Sequence, residues 1–586
     1  MSDMPIHGET RKTAPTRVAP IHFVLAAALA AALFALPARA EQVELTVLFT
    51  SDMHAHVLPS DDVREKPARG SIAQAATLIT RIRGERPNTI VLDGGDAIQG
   101  TPLSHYALVA PGADGVDPTI AAMNLVGYDA AVLGNHEFNY GLDVLRRSLG
   151  QSRFPWLAAN MTGAREARLP VGDDLVVTRG GVRVGILGLT NPNIPHWDPE
   201  SHWRGLAFTD LLEVARVRVA ALRTRADVVI VLLHTGFERN LDSGAVDGSD
   251  FENFAWRVAQ VPGIDLLLTG HTHVNIPPRQ VNGTWVAQPG RWAEFVTRFD
   301  LTLERSGGAV RITRTAGVNL PTGMEVPRDD VLASGAAIHA RTLAELARPI
   351  GTLETPLRIS GVPSRDDAGI DLIHAVQLEA SGADLSLAAP LGFSRIEFQA
   401  GPATPRLAHA LYPYPNTLVV VRISGAQLAD VLEHAVRGWQ TVECKATGCT
   451  LLRDPEFPSY NYDNLAGATY LVDPTAPVGH RIRGLRVKGA AVAPQQLFTL
   501  AINSYRAAGG GNYPYLATAE RIREIDRPMV ELLIEYFTRH GRITPAADDN
   551  WAFILPLREA VMSNAGASTT PKPDAGPAAI QATPGL

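Results

Sequence analysis

An α/β fold in two units is what this sequence of 586 residues predicts, on three observations. Short runs rich in Val, Ile and Leu alternate with helical stretches through the first half. Metal-ligating residue types follow the ends of five of those runs. The second half opens after a helical segment with few breakers and carries its own strands and helices. At roughly 100–200 residues per domain, the length asks for at least two. Apolar residues at 46% and charged residues at 19% supply sizeable cores and exclude a disordered or fibrous chain. Lys and Arg total 53 against 60 Asp and Glu, a formal charge of −7, so no basic excess points to a nucleic-acid polymer. Two cysteines exclude a disulfide-dense scaffold and a Cys-rich metal site.

Taken in order, residues 1–40 read as a targeting segment. Arg11, Lys12 and Arg17 precede an apolar run within 22–36, and Ala38-Arg39-Ala40 is an A-x-A cleavage site, so the mature chain is expected to begin at Glu41. The run is shorter than the ~20 residues of a membrane span. A cleaved signal peptide follows, with a periplasmic or secreted protein and no membrane partner after cleavage. In that oxidising compartment Cys444 and Cys449 are expected to form a local disulfide.

Strands are expected at 43–50, 89–93, 130–134, 182–189, 227–234 and 264–270, apolar enough to be buried on both faces, with a helix at 71–85 between the first two. Residues 286–304, VAQPGRWAEFVTRFDLTLE, read as an antiparallel hairpin. The first domain is taken as 41–327, a connecting helix as 328–350 and the second domain as 351–560, including a strand, turn and helix over 416–436. Residues 561–586, rich in Ala, Pro, Ser, Thr and Gly, read as a disordered tail.

The loops beyond the strands carry the chemistry. VLFT runs into Asp52 and His54, TIVL into Asp93-Gly-Gly-Asp96, AAVL into Gly134-Asn135-His136-Glu137, VIVLL into His234, and DLLLT into Gly270-His271-Thr272-His273. In α/β sheets the loops past the carboxyl ends of strands build the site. Imidazole and carboxylate without thiolate suit Mn, Fe, Co, Ni or Zn. Asp52, His54, Asp96, Asn135, His234, His271 and His273 are too many ligands for one tetrahedral ion and enough for two sharing a carboxylate, the arrangement that clamps phosphoryl transfer.

In order and spacing these motifs resemble the calcineurin-like metallophosphoesterases, and the sub-pattern resembles the periplasmic 5′-nucleotidase family. That resemblance implies a four-layer αββα metal domain, a linker helix and a mixed α/β C-terminal domain that binds nucleotides. It implies two divalent ions (Mn, Zn, Co or Fe), one on Asp52, His54, Asp96 and His273 and the other on Asp96, Asn135, His234 and His271. His136 would face the phosphate as the catalytic imidazole. In the 5′-nucleotidase branch an Asp orients that ring; here GNHEFNYG puts Asn139 there, as in the cyclic-nucleotide branch. Asn accepts a hydrogen bond but supplies no charge.

In the second domain, Tyr-Pro-Tyr-Pro-Asn-Thr (412–417) and Asn-Ser-Tyr-Arg-Ala-Ala-Gly-Gly-Gly-Asn (503–512) offer aromatic faces beside a turn where backbone approaches closely. By resemblance, Tyr414 and Tyr505 clamp the base, Asn416 meets its edge, Gly509 and Gly510 shape the loop, and Arg395 contacts phosphate or sugar. Gly511 replaces the family's ribose-binding Asp. Together with Phe-Pro-Ser-Tyr-Asn-Tyr-Asp (457–463), these features look like the bifunctional 2′,3′-cyclic-nucleotide 2′-phosphodiesterase/3′-nucleotidases, acting as monomers on a small nucleotide. A 5′-nucleotidase or nucleotide-sugar hydrolase, a thiosulfohydrolase, and a binding protein with a decayed metal site are the competing readings.

Overall fold

A computed structural model describes residues 41–246, 251–359, 364–391, 396–445, 448–454 and 457–554. The expected targeting segment, Arg395 and the expected tail lie outside them, as do the side chains of Cys444 and Cys449, whose backbones stand opposite one another across an antiparallel pair.

Two sheets stack in the first domain. One runs, strand by strand, 309–321, 295–306, 41–50, 89–93, 130–132, 156–157 and 171–172; the other runs 275–281, 284–289, 266–269, 228–233, 182–189 and 174–179. Their facing sides interdigitate Leu45, Val47, Phe49, Ile90 and Leu92 with Ile186, Ile230, Leu232 and Leu268, all fully buried. Helices Ile72–Glu85 and Pro118–Val126 cover the outer face of one sheet, and Leu211–Arg223 that of the other. The result is four layers, αββα. The central strands are parallel, with Thr46 opposite Thr89, Leu92 opposite Ala130 and Ile230 opposite Leu266. Their carboxyl ends therefore come out along one edge.

Local sequence sets the helix starts. The Ser71 side chain accepts from Gln74 N, and Thr101 precedes a proline at the first helical position of Pro102–Leu108. Asp117, fully buried, caps Pro118–Val126 through Thr119 N and Ile120 N at 2.9 and 3.1 Å. Burial pushes its carboxyl up to about 6. The folded chain thus holds that proton more tightly than the unfolded chain, and stability falls as pH rises from the ordinary carboxylate range through about 6. Asp117→Asn keeps a cap oxygen and drops the charge. It is expected to be ~1–3 kcal/mol more stable than the parent near pH 8 and no more stable near pH 4, which thermal melts at both values check.

The expected hairpin at 286–304 is not one. Thr284–Pro289 lies in the second sheet, parallel to Leu266–Thr269, and Phe295–Ser306 crosses to the first, antiparallel to Glu41–Thr50. Trp292 and Ala293 in the turn between them have positive φ. The alternation of apolar residues is the same for a hairpin and for two strands in stacked sheets; only the partner differs.

Helix Asp329–Ala347 leaves the first domain. Arg328 donates to Leu125 O at 2.7 Å and to Thr80 Oγ1 at 3.1 Å, and His339 meets Asp62 at 3.0 Å. The second domain centres on a five-stranded sheet, 464–466, 385–388, 497–503, 418–424 and 521–525. A Ser424–Gln427 capping box turns the strand at 418–424 straight into helix Gly425–Val436. Arg406 reaches back to Asp62 O and Glu65 at 3.1 and 3.0 Å, tying this domain to the first. Among the described residues no helix is long and apolar enough to cross a membrane.

Candidate metal centre

Strands Glu41–Thr50, Thr89–Asp93, Ala130–Val132, Val228–Leu233 and Leu266–Thr269 end one after another along the shared edge. Each changes direction at once, and the ligand residues take the strain. Asp52, His54, Asp96, His271 and His273 have φ of 52°, 46°, 54°, 77° and 61°. Left-handed backbone is uncommon in non-glycine residues and clusters at functional sites. Gly134 must be glycine, since a Cβ there would stand 2.2 Å from Asp96 Oδ1.

The seven side chains named from the motifs meet here. Asp52, His54 and His273 form one cluster and Asp96, His234 and His271 another; His54, Asp96 and His136 overlap both. His54 Nε2 and His273 Nε2 are 2.9 Å apart, Asp96 Oδ2 and His234 Nε2 3.0 Å, and Asn135 Oδ1 and His271 Nδ1 2.9 Å. Asp96 Oδ2 and His234 Nε2 are buried and, beyond facing one another, have no hydrogen-bond partner. Buried polar atoms normally find one. Lone pairs aimed at common points, with partners missing at the centre, fit two divalent cations sharing Asp96.

The surrounding hydrogen bonds orient the ligands. His54 Nδ1 faces Gln99 O at 2.9 Å and His234 Nδ1 faces Gly94 O at 2.6 Å, which turns each Nε2 inward. Asp52 accepts from His271 N and Ser51 Oγ at 2.9 and 2.6 Å. Burial pulls His54 and His271 down to about 3 and drives Asp52 up to about 7. Neutral imidazole is the form that binds metal. Burial also opposes charge on His234, but Asp96 and Asp52 outweigh it and raise that ring to about 10.

Glu137 lay inside the GNHE motif without an assigned part. It is fully buried and accepts from Gly134 N, Asp96 N and Ala97 N at 2.7, 2.8 and 2.6 Å, pinning two ligand loops together. Trp197 stacks on His271 with ring centroids 5.2 Å apart. Neither part is visible in spacing, because both depend on which loops become neighbours.

His136 sits beside the cluster, its ring 5.0 Å from that of His54 and its backbone N–H donating to Asp96 Oδ1 at 2.7 Å. Its Nδ1 is 2.5 Å from Asn139 Oδ1. A cleft of about 180 Å³ runs from His54, His136 and His273 to Arg291, Trp292 and, in the second domain, Tyr414. Tyr505, Asn416, Gly509 and Gly510 do not line it. Tyr505 lies beyond, on a short helix packed against Ile194–Trp197, with Tyr460 edge-on at 6.3 Å. Gly510 seats that ring, for a Cβ would fall 2.4 Å from it. The Asn416 carbonyl accepts from Met529 N at 2.9 Å, and the buried Tyr412 hydroxyl beside it accepts from Asn503 Nδ2 at 3.0 Å.

Known proteins share this pair of domains. Residues 45–275 match the calcineurin-like phosphoesterases and residues 349–518 the 5′-nucleotidase C-terminal domain. The chain is 28% identical to the trifunctional nucleotide phosphoesterase protein YfkN of Bacillus subtilis over 88% of its own length, spanning 39% of that longer protein. It is 29% identical to the 2′,3′-cyclic-nucleotide 2′-phosphodiesterase/3′-nucleotidase of Yersinia enterocolitica, over 90% of this chain and 91% of that one. A Staphylococcus aureus structure assigned as a 5′-nucleotidase superposes with a TM-score of 0.77 at 26% identity, over 87% of this chain and all of the other. The protein belongs to the calcineurin-like phosphoesterases that carry a 5′-nucleotidase C-terminal domain.

Proposed function

We propose that the protein is a dinuclear-metal hydrolase that opens 2′,3′-cyclic nucleotides to 3′-nucleotides and then dephosphorylates these to nucleoside and phosphate. The observation that carries the reading is Asp96, a buried carboxylate with an unpartnered oxygen between two groups of histidines. Asp52, His54, Asp96 and His273 would hold one ion and Asp96, Asn135, His234 and His271 the other. Two such ions supply positive charge for the phosphoryl oxygens and make a water nucleophilic at neutral pH.

The chain's own residues do the rest. His136 stands at the cleft with Nδ1 engaged by Asn139, leaving Nε2 for the phosphate or the departing ribose oxygen. In the first turnover water adds to phosphorus, the bond to O2′ breaks and that oxygen takes a proton. In the second, the bond to O3′ breaks after the ribose re-seats. Tyr414 and Tyr505, with Tyr460, offer faces for the base. The nucleotide substrate is supported by the names of the Yersinia and Bacillus relatives, and the preference for the cyclic and 3′ substrates by Asn139 and Gly511. The segment before Glu41 supports a periplasmic or secreted protein.

Tyr414→Ala and Tyr505→Ala are each expected to remove about 1–3 kcal/mol of stacking, raising KM for nucleotides roughly five- to 150-fold. KM unchanged in both variants would remove the clamp. The reaction order is tested by following 2′,3′-cAMP with Mn²⁺: 3′-AMP should appear first and then give adenosine, while 5′-AMP is spared. Faster turnover of 5′-AMP than of either would favour a 5′-nucleotidase instead.

A further inference from the structure

The contact between His136 and Asn139 continues into a buried carboxylate. Asn139 Nδ2 donates to Asp198 Oδ1 at 2.9 Å. The Asp198 side chain is 6% exposed, and its Oδ2 has no hydrogen-bond partner. His202 Nδ1 approaches Asp198 Oδ1 at 3.4 Å. The backbone around the carboxylate is fixed, with Asp198 N donating to Ile194 O at 3.0 Å and Trp203 Nε1 donating to Asp198 O at 3.2 Å.

An amide can meet an imidazole either way round. Its oxygen accepts from Nδ1–H, or its NH₂ donates to a bare Nδ1, and the two choices select opposite tautomers of the neutral ring. A carboxylate only accepts. Asp198 therefore compels the amide nitrogen of Asn139 to face it and turns the oxygen toward His136.

We propose that Asp198 is a positioning residue for the hydrolysis. By fixing the amide of Asn139 it keeps a proton on His136 Nδ1 and leaves Nε2 for the phosphate. It also supplies charge, one bond removed: an amide whose N–H groups are held by a carboxylate is a stronger acceptor at oxygen. A carboxylate–amide–imidazole relay here takes the place of a direct carboxylate–imidazole pair. The inference deepens the phosphoesterase reading above and rests on it, since the relay has a role only if His136 faces substrate.

Four proteins test it: the parent, Asp198→Asn, Asn139→Asp, and the double variant. Asp198→Asn is expected to lower kcat on 2′,3′-cAMP about ten- to a hundredfold with KM nearly unchanged. The fall should be smaller on bis(4-nitrophenyl) phosphate, whose leaving group departs without a proton. Asn139→Asp alone sets two carboxylates against each other and should also lose kcat. The double variant should recover most of it, because the new carboxylate at 139 accepts directly from His136 Nδ1–H and the new amide at 198 donates to that carboxylate. A merely structural Asp198 would not produce that recovery. Parent-level kcat in Asp198→Asn overturns the proposal, as do losses that simply multiply in the double variant, or metal content falling in step with kcat. If the parent turns over 5′-AMP in preference, the substrate reading fails alone, and the same four proteins read on 5′-AMP still decide the part of Asp198.

Discussion

Asp96→Asn is expected to lower phosphoester turnover by about three orders of magnitude or more while leaving the fold intact. The substitution is isosteric, and the remaining oxygen at Oδ1 can still accept from His136 N. What is lost is the charge at Oδ2, which stands 3.0 Å from His234 Nε2 and 4.0 Å from His54 Nε2. Among the described residues, Asp96 is the carboxylate that groups with His54 and His136 on one side and with His234 and His271 on the other. In the parent, Mn²⁺ should raise the melting temperature by mass action, since it binds the folded chain alone. In the variant that rise should shrink or vanish, while the metal-free melting temperatures stay close. Elemental analysis should find fewer ions per chain. A variant that keeps both its turnover and its metal-induced stabilisation would place the shared ligand elsewhere.

The second large effect falls on stability. Arg506 is 2% exposed and pairs with the buried Asp463 through Nε at 3.2 Å and Nη2 at 2.8 Å. Tyr513 donates to the same carboxylate at 2.5 Å, and Arg506 Nη1 donates to Gly510 O at 3.0 Å. Arg506→Met keeps much of the volume and strands Asp463 in the interior. Breaking a buried pair from one side costs about 3–5 kcal/mol. For a unit of this size that lowers the melting transition of the second domain by roughly 6–20 °C, which calorimetry reads. The Gly-rich turn that seats Tyr505 should loosen too, so KM for nucleotides should rise. Replacing both partners, Arg506→Met with Asp463→Leu, should restore part of the stability, because an apolar pair leaves no buried charge.

The five loops were legible for a physical reason. Parallel strands buried on both faces read as uninterrupted apolar runs, so a polar residue just past the end stands out, and parallel pairing sends those ends to one edge. Seven side chains chosen on that basis lie together there. What sequence could not supply were contacts made only by the fold. The strands at 284–289 and 295–306 carry the alternation of a hairpin yet join different sheets. Glu137 was in plain view, but its grip on Gly134, Asp96 and Ala97 needs two loops to be neighbours. Asp198 lies 59 residues from Asn139, with no motif to link them. The second-domain tyrosines are only partly joined to the metal site, since Tyr414 lines the cleft and Tyr505 sits outside it, on a helix packed against Ile194–Trp197.

The central claim is a pair of ions held by one shared carboxylate and required for phosphate ester hydrolysis. Stripping the protein with chelator and titrating it with Mn²⁺ in a calorimeter, with phosphate release from 3′-AMP measured at each addition, tests this most directly. The account predicts two ions per chain and activity that appears as the second site fills. Saturation at a single ion, or full activity in the stripped protein, would contradict it.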